Sequence, residues 1–177
     1  MSSVATRYIK TESHLSLNIN AHQSEWIAFS PPDKSFTVKL PSVPCRDTGS
    51  STQPDLDGAI DAYNVIEFSA GFHIYFIGVF DASHFKDASH PDAVMDGLIG
   101  LMSYPPKKLV SKTKIILDGM PGREFGFANN LNNNYGRGRV IHAGTRIYVL
   151  VYITEEEGDV SSHSATRFLD SFRIRPK

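Results

Sequence analysis

The chain has 177 residues, enough for one domain with a sizeable core, and its 41% hydrophobic and 21% charged fractions are those of an ordinary globular protein. A formal net charge of −1 excludes a global field that would steer it to nucleic acid or an acidic membrane, so no nucleic-acid partner is expected. One cysteine, Cys45, excludes an intrachain disulfide, and its neighbours read as a loop in which a lone thiol is a bystander.

No apolar leader and no run long enough to span a bilayer is visible in residues 1–20, so the default expectation is a cytoplasmic protein without a membrane span, or an exported one if Met1 replaces a native leader. Residues 13–20 alternate Leu15, Leu17 and Ile19 with polar neighbours, which is strand periodicity, and 1–25 reads as an N-terminal extension or edge strand. Residues 26–177 read as a single α+β domain. Trp26 to Phe29 is a short apolar run. Phe36 to Leu40 alternates again, and Pro41 and Pro44 end it. The polar stretch 46–58 is a long loop.

Ala62 to Ser69 and Phe72 to Phe80 form a hairpin whose second, almost wholly apolar strand is expected to be covered on both faces. The segment 81–92, DASHFKDASHPD, then joins that strand to a helix. Pro91 suits a first helical turn, Ser89 or His90 the cap, and Asp92 the positive end of the helix dipole. Val94, Met95, Leu98, Ile99, Leu101 and Met102 form one helical stripe. Leu109–Leu117, with Lys108, Lys112 and Lys114 interleaved, Arg123–Ala128, Tyr135–His142 and Thr145–Ile153 follow as strands joined by tight turns. Ser161 or Ser162 caps a last helix carrying Ala165, Phe168, Leu169 and Phe172. The order β-β-β-β-α, a four-strand meander, then α, without a βαβ unit, predicts an antiparallel sheet flanked by two main helices. The predicted core is Trp26, Phe36, Val38, Ile74, Phe76, Leu98, Ile147, Val149, Phe168 and Phe172.

Phe29-Ser30-Pro31 through Phe36-Thr37-Val38-Lys39-Leu40-Pro41, then Gly119-Met120-Pro121-Gly122-Arg123-Glu124, Arg146-Ile147-Tyr148-Val149-Leu150 and Arg167-Phe168-Leu169-Asp170-Ser171-Phe172, give a layout that resembles small bacterial domains of the PsbP-like fold. That fold is shared by the extrinsic PsbP protein of photosystem II, a small Ran-binding nuclear-import factor and bacterial lipoproteins. The resemblance covers roughly residues 26–174. It implies an antiparallel α+β domain that acts by binding partners, with no shared catalytic motif and no cofactor.

Two constellations carry chemistry. Asp81, His84, Asp87 and His90 are spaced by threes and could ligate zinc or manganese. That spacing shares a face only in a helix, and Pro91 biases His90 away from helix, so the expectation is a polar connector and no metal. The second is the hairpin around Ala143-Gly144. With those two residues as the turn, Ile141 faces Arg146, Arg139 faces Tyr148 and Arg137 faces Leu150. One face then carries Arg137, Arg139, Arg146, Tyr148 and Tyr152, and the other, with Val140, Ile147, Val149, Val151 and Ile153, is core. With only Glu124 as an evident counter-charge, the arginines are expected to hold surplus positive charge for an acidic surface or small anion, set against the plainer reading of a solvated face. Gly136-Arg137-Gly138 does not open a helix and is no phosphate loop, and no G-x-S-x-G or H-E-x-x-H occurs. The first functional expectation is a non-enzymatic binding or assembly module with a protein partner or self-association. The alternatives are a small enzyme or metal protein using the 81–90 histidines, and a structural subunit of a homo-oligomer.

Overall fold

The computed structural model describes residues 25–47, 59–68, 71–85, 90–103, 105–129 and 131–175. The expected strand 13–20, most of the 46–58 loop, and Asp87 and Ser89 lie outside them. In chain order the elements are β1 (Ile27–Phe29), β2 (Phe36–Leu40), β3 (Cys45–Asp47), β4 (Ala59–Glu67), β5 (His73–Asp81), α1 (Pro91–Met102), β6 (Lys108–Leu117), β7 (Met120–Asn129), β8 (Asn134–Ala143), β9 (Arg146–Thr154), α2 (His163–Ser171) and β10 (Arg173–Ile174). Cys45, expected in a loop, opens the short strand β3 and is exposed.

Seven strands form one sheet in the order β3-β4-β5-β9-β8-β7-β6, with every neighbouring pair antiparallel. A second, three-stranded sheet has the order β1-β2-β10. The meander β6 to β9 is the one its turn residues call for. Asp118 and Gly119 both take positive φ, 50° and 80°, as a two-residue hairpin turn of the I′ type requires.

Each face of the large sheet has its own cover. α1 lays Val94, Met95, Leu98, Ile99 and Met102 on Phe80, Phe125, Phe127, Val140, Ile147, Val149 and Val151. On the other face α2 and the small sheet pack Phe36, Val38, Leu40, Phe168, Leu169 and Phe172 against Tyr63, Tyr75, Ile77, Tyr148, Leu150 and Tyr152. The α2 cap is the serine its sequence offers, since Ser162 Oγ accepts from the Ala165 N–H at 3.2 Å. Among the described residues no helix is long and apolar enough to cross a membrane.

Seven of the ten expected core residues are buried. Trp26, Ile74 and Phe76 are half-buried. In β5 the fully dry positions are instead Tyr75 and Ile77. Ile74 and Phe76 lie on the α1 face, where a helix of 12 residues, about 18 Å long, does not reach the whole strand. Trp26 packs edge-on against Tyr75, with the Arg167 guanidinium 4.9 Å from its ring centre.

The β8–β9 hairpin departs from the expected register. Ala143 pairs with Arg146, so the turn is Gly144-Thr145, led by Gly144 at φ +67°. Tyr148 therefore faces Ile141, Leu150 faces Arg139 and Tyr152 faces Arg137. The slip is two residues, so each side chain keeps its face. That face is not solvated, because α2 and the small sheet bury Tyr148 and Tyr152. Gly138 sits under the Phe125 ring opposite it. A Cβ there would come 2.6 Å from that ring and from the Leu150 carbonyl oxygen.

Phe168, fully buried in the α2 face, is expected to cost about 3–5 kcal/mol on truncation to alanine, measured by denaturant unfolding. An unchanged midpoint would mean that α2 does not dock as described. Gly138→Ala should cost about 1–3 kcal/mol by the same measurement, through overpacking rather than loss of contact.

Candidate functional site

The expected site residues start from strand register. Arg139 lies directly opposite Glu124, and Arg137 is two residues away on the same face of β8. Arg137 donates from Nε and Nη2 to Glu124 Oε1 at 3.1 and 2.8 Å, and Arg139 Nε donates to Glu124 Oε2 at 2.8 Å. The rest of the Arg139 guanidinium reaches the end of α2, donating to the Leu169 carbonyl at 2.8 Å and to Asp170 Oδ1 at 2.6 Å. This one side chain ties the meander to the last turn of the helix, where a cation also suits the dipole. Burial alone would raise the Glu124 carboxyl pKa, but the bonds from Arg139 and Arg137 outweigh it and hold the group below its ordinary value.

Arg146 stands apart. Its pair partner Ala143 is four residues along β8 from Arg139, about 13 Å at strand rise. It donates to Asp33 Oδ2 in the turn before β2. Tyr148 is 2% exposed and packs between Phe36 and Phe172, so it is a core side chain. The structure thus brings Arg137 and Arg139 together and leaves Arg146 and Tyr148 elsewhere. The expected surplus of positive charge on this face is also absent, since Glu124, Asp170 and Asp33 answer the three arginines.

Beside Arg137 the face opens. α2 covers β8 and β9 but not β6 and β7, and a groove of about 240 Å³ remains there. Small residues floor it. Gly126 lies against Ser111, and a Cβ at Gly126 would come 2.9 Å from that hydroxyl. Arg137 and Glu124 make one wall, Val160 and Glu157 of a 3-10 turn another, and Val110 the rim on β6.

The opposite face holds a second charged cluster. Arg123, with a side chain 5% exposed, lies between Asp92 at 2.8 Å and Asp96 at 3.3 Å on α1. Lys112 and Lys114 of β6 join the same two carboxylates at 3.2 and 3.1 Å. Three cations share two anions, so among the described residues this cluster carries one positive charge in excess. The alternation of lysines along β6 was the signal for it, and sequence reasoning passed it by in favour of the arginines.

The 81–92 connector is divided between two caps. Asp81 Oδ1 accepts from the Ser83 N–H at 2.8 Å and from its hydroxyl at 2.7 Å, closing a short 3-10 turn over residues 82–84. His84 is exposed, and His90 is the N-cap residue of α1. Among the described residues no three His, Cys, Asp or Glu side chains meet as a metal site would need, and Asp87 is outside them.

No family model and no curated protein matches the chain. Solved structures do. The solution structure of cyanobacterial PsbP from Synechocystis is 12% identical, with a TM-score of 0.57 over 86% of this chain and 94% of that one. A Pseudomonas aeruginosa protein of unknown function is 15% identical, with a TM-score of 0.49 over 86% and 99%. The likeness to cyanobacterial PsbP is one of fold. The antiparallel α+β architecture is PsbP-like, as the terminal sequence motifs implied.

Glu124→Gln tests the arginine clamp. A carboxylate whose pKa is lowered on folding adds stability above its unfolded pKa, and that stability is lost as pH falls through the folded value. The variant should therefore be about 1–3 kcal/mol less stable than wild type at pH 7, and the gap should close below the ordinary carboxylate range. Urea unfolding across that range reads the difference, and a gap independent of pH would detach the effect from the charge.

Proposed function

We propose that this PsbP-like domain is a non-enzymatic protein-binding module, with residues 26–177 as its working unit and the meander end of the large sheet as its binding surface. The observation that supports this most directly is the groove beside β6. A concave, small-floored surface with both polar and apolar walls is what a docking side chain needs. Arg137 is the arginine a partner would touch, with a side chain 26% exposed on the groove wall. Arg139 acts through Glu124 as the residue that positions it, and Arg146 and Tyr148 hold the scaffold. In this reading the arginine face recognises an acidic or polar group as one contact among several, not as a free anion trap.

Arg137→Ala is the clean variant, because Glu124 and Asp170 keep Arg139. Affinity capture from lysate with wild type and Arg137→Ala, at low and high salt, is expected to show at least one protein retained by wild type and reduced about tenfold by the variant, the effect of roughly 1.4 kcal/mol. The loss should be larger at low salt, since exposed charges are screened within about 8 Å at physiological ionic strength. Identical recoveries from both proteins, with both equally folded, would remove the groove wall from any binding role.

A further inference from the structure

Among the described residues the longest unpaired strand edge is β6. It ends the seven-stranded sheet, whereas the opposite edge, β3, has three residues. Residues 108–114 are all exposed, and so is Ile116, at 74%. Lys112 and Lys114 stand opposite Phe125 and Arg123, and therefore on the α1 face, with Ile116 two residues on. Ser111 and Thr113 stand opposite Gly126 and Glu124, and therefore on the groove face.

Edge lysines keep a sheet from pairing with copies of itself. Here they do so by geometry. Two β6 strands paired about a two-fold axis near the strand's middle would set Lys112 against Lys112 or Lys114 of the other copy, and like charges directly opposite repel. The same lysines favour a different occupant. The α1-face cluster of Asp92, Asp96, Arg123, Lys112 and Lys114 has one positive charge in excess, and the Lys114 side chain is 77% exposed at its rim.

Resting on the binding-module reading and deepening it, we infer that β6 accepts an extended acidic segment of a partner protein as an eighth strand of the sheet. Main-chain hydrogen bonds to the open edge supply the affinity, and alternate side chains supply the choice. Read antiparallel to β6, the fitting segment places an apolar residue opposite Ile116. Acidic residues two and four positions later lie opposite Lys114 and Lys112, and the small polar residues between and just after them face Thr113 and Ser111. The specificity is a spacing as well as a charge, because two adjacent acids would point to opposite faces.

The test uses the full chain and three capped peptides. The first contains valine-threonine-glutamate-threonine-glutamate-threonine, the second has lysines for the glutamates, and the third has the two glutamates adjacent. Fluorescence anisotropy gives affinity, and amide NMR gives location. The first peptide is expected to bind at least tenfold more tightly than either of the others, with shifts and slowed amide exchange along residues 108–117. Lys114→Glu, at a position too exposed to unfold the domain, should weaken it at least tenfold. Shifts confined to groove residues such as Glu124 and Arg137, unaffected by Lys114→Glu, would overturn the edge inference and leave a binding module that works through its groove. Absence of binding by all three peptides would overturn it too, leaving the lysines as a guard, and Arg137-dependent capture would then decide the broader reading alone. A concentration-dependent dimer that protects β6 amides would replace the acidic segment with a second copy.

Discussion

A seven-stranded antiparallel sheet has more surface than two short helices can cover. Its strands, spaced about 4.8 Å, make a layer close to 30 Å wide, while a helix with its side chains is about 10 Å across. The molecule meets this constraint unevenly. α1 shields one face over the middle strands, and α2 together with the small sheet shields the other from β4 across β5 and β9 to β8. Central β9 is dry on both sides and anchors the whole packing. The flank at β6 and β7 is left thinly covered, and the groove and the open edge both lie there. The thinly covered surface is what remains once the core has taken its cover.

Charge follows the same division. Where the face is covered, arginines are used, and their planar forks hold carboxylates. Arg139 alone bonds a strand carboxylate, a helix carbonyl and a helix carboxylate. Where the sheet is open, lysines are used, with flexible stems and well-hydrated heads. Both kinds tie a strand to a neighbouring layer, but the Arg139 side chain is 11% exposed and that of Lys114 77%.

The fold was legible where period and turn chemistry agreed. The alternation of the meander strands, the Asp118-Gly119 turn, the apolar run of β5 and the helical stripe of α1 each predicted their element. The β8–β9 register was not legible, because Ala143-Gly144 and Gly144-Thr145 are equally good two-residue turns by composition, and only the pairing of Ala143 with Arg146 decides between them. The character of the arginine face was not legible for a different reason. Its counter-charges Asp33 and Asp170 are more than a hundred and about thirty residues from their arginines, in elements whose docking no local pattern encodes. Ile74 and Phe76 were over-read as core because periodicity gives a face but not how far along it the neighbouring helix extends.

The small sheet has a consequence for how the chain can be made. β2 pairs with β10, and the Lys39 N–H donates to Ser171 Oγ across 132 residues of sequence. The Ile174 N–H in turn donates to Asp118 Oδ2 at 2.9 Å, pinning the same strand to the β6–β7 turn. The layer that seals Phe36, Phe168 and Phe172 is therefore closed only when segments 132 residues apart in sequence meet. During synthesis β2 waits for β10, with the apolar side of the large sheet uncovered until α2 and β10 have been made. Loop closure over such a span is slow and exposes apolar surface meanwhile. A chain interrupted before β10 therefore keeps its aromatic layer open, however much of the large sheet has already formed.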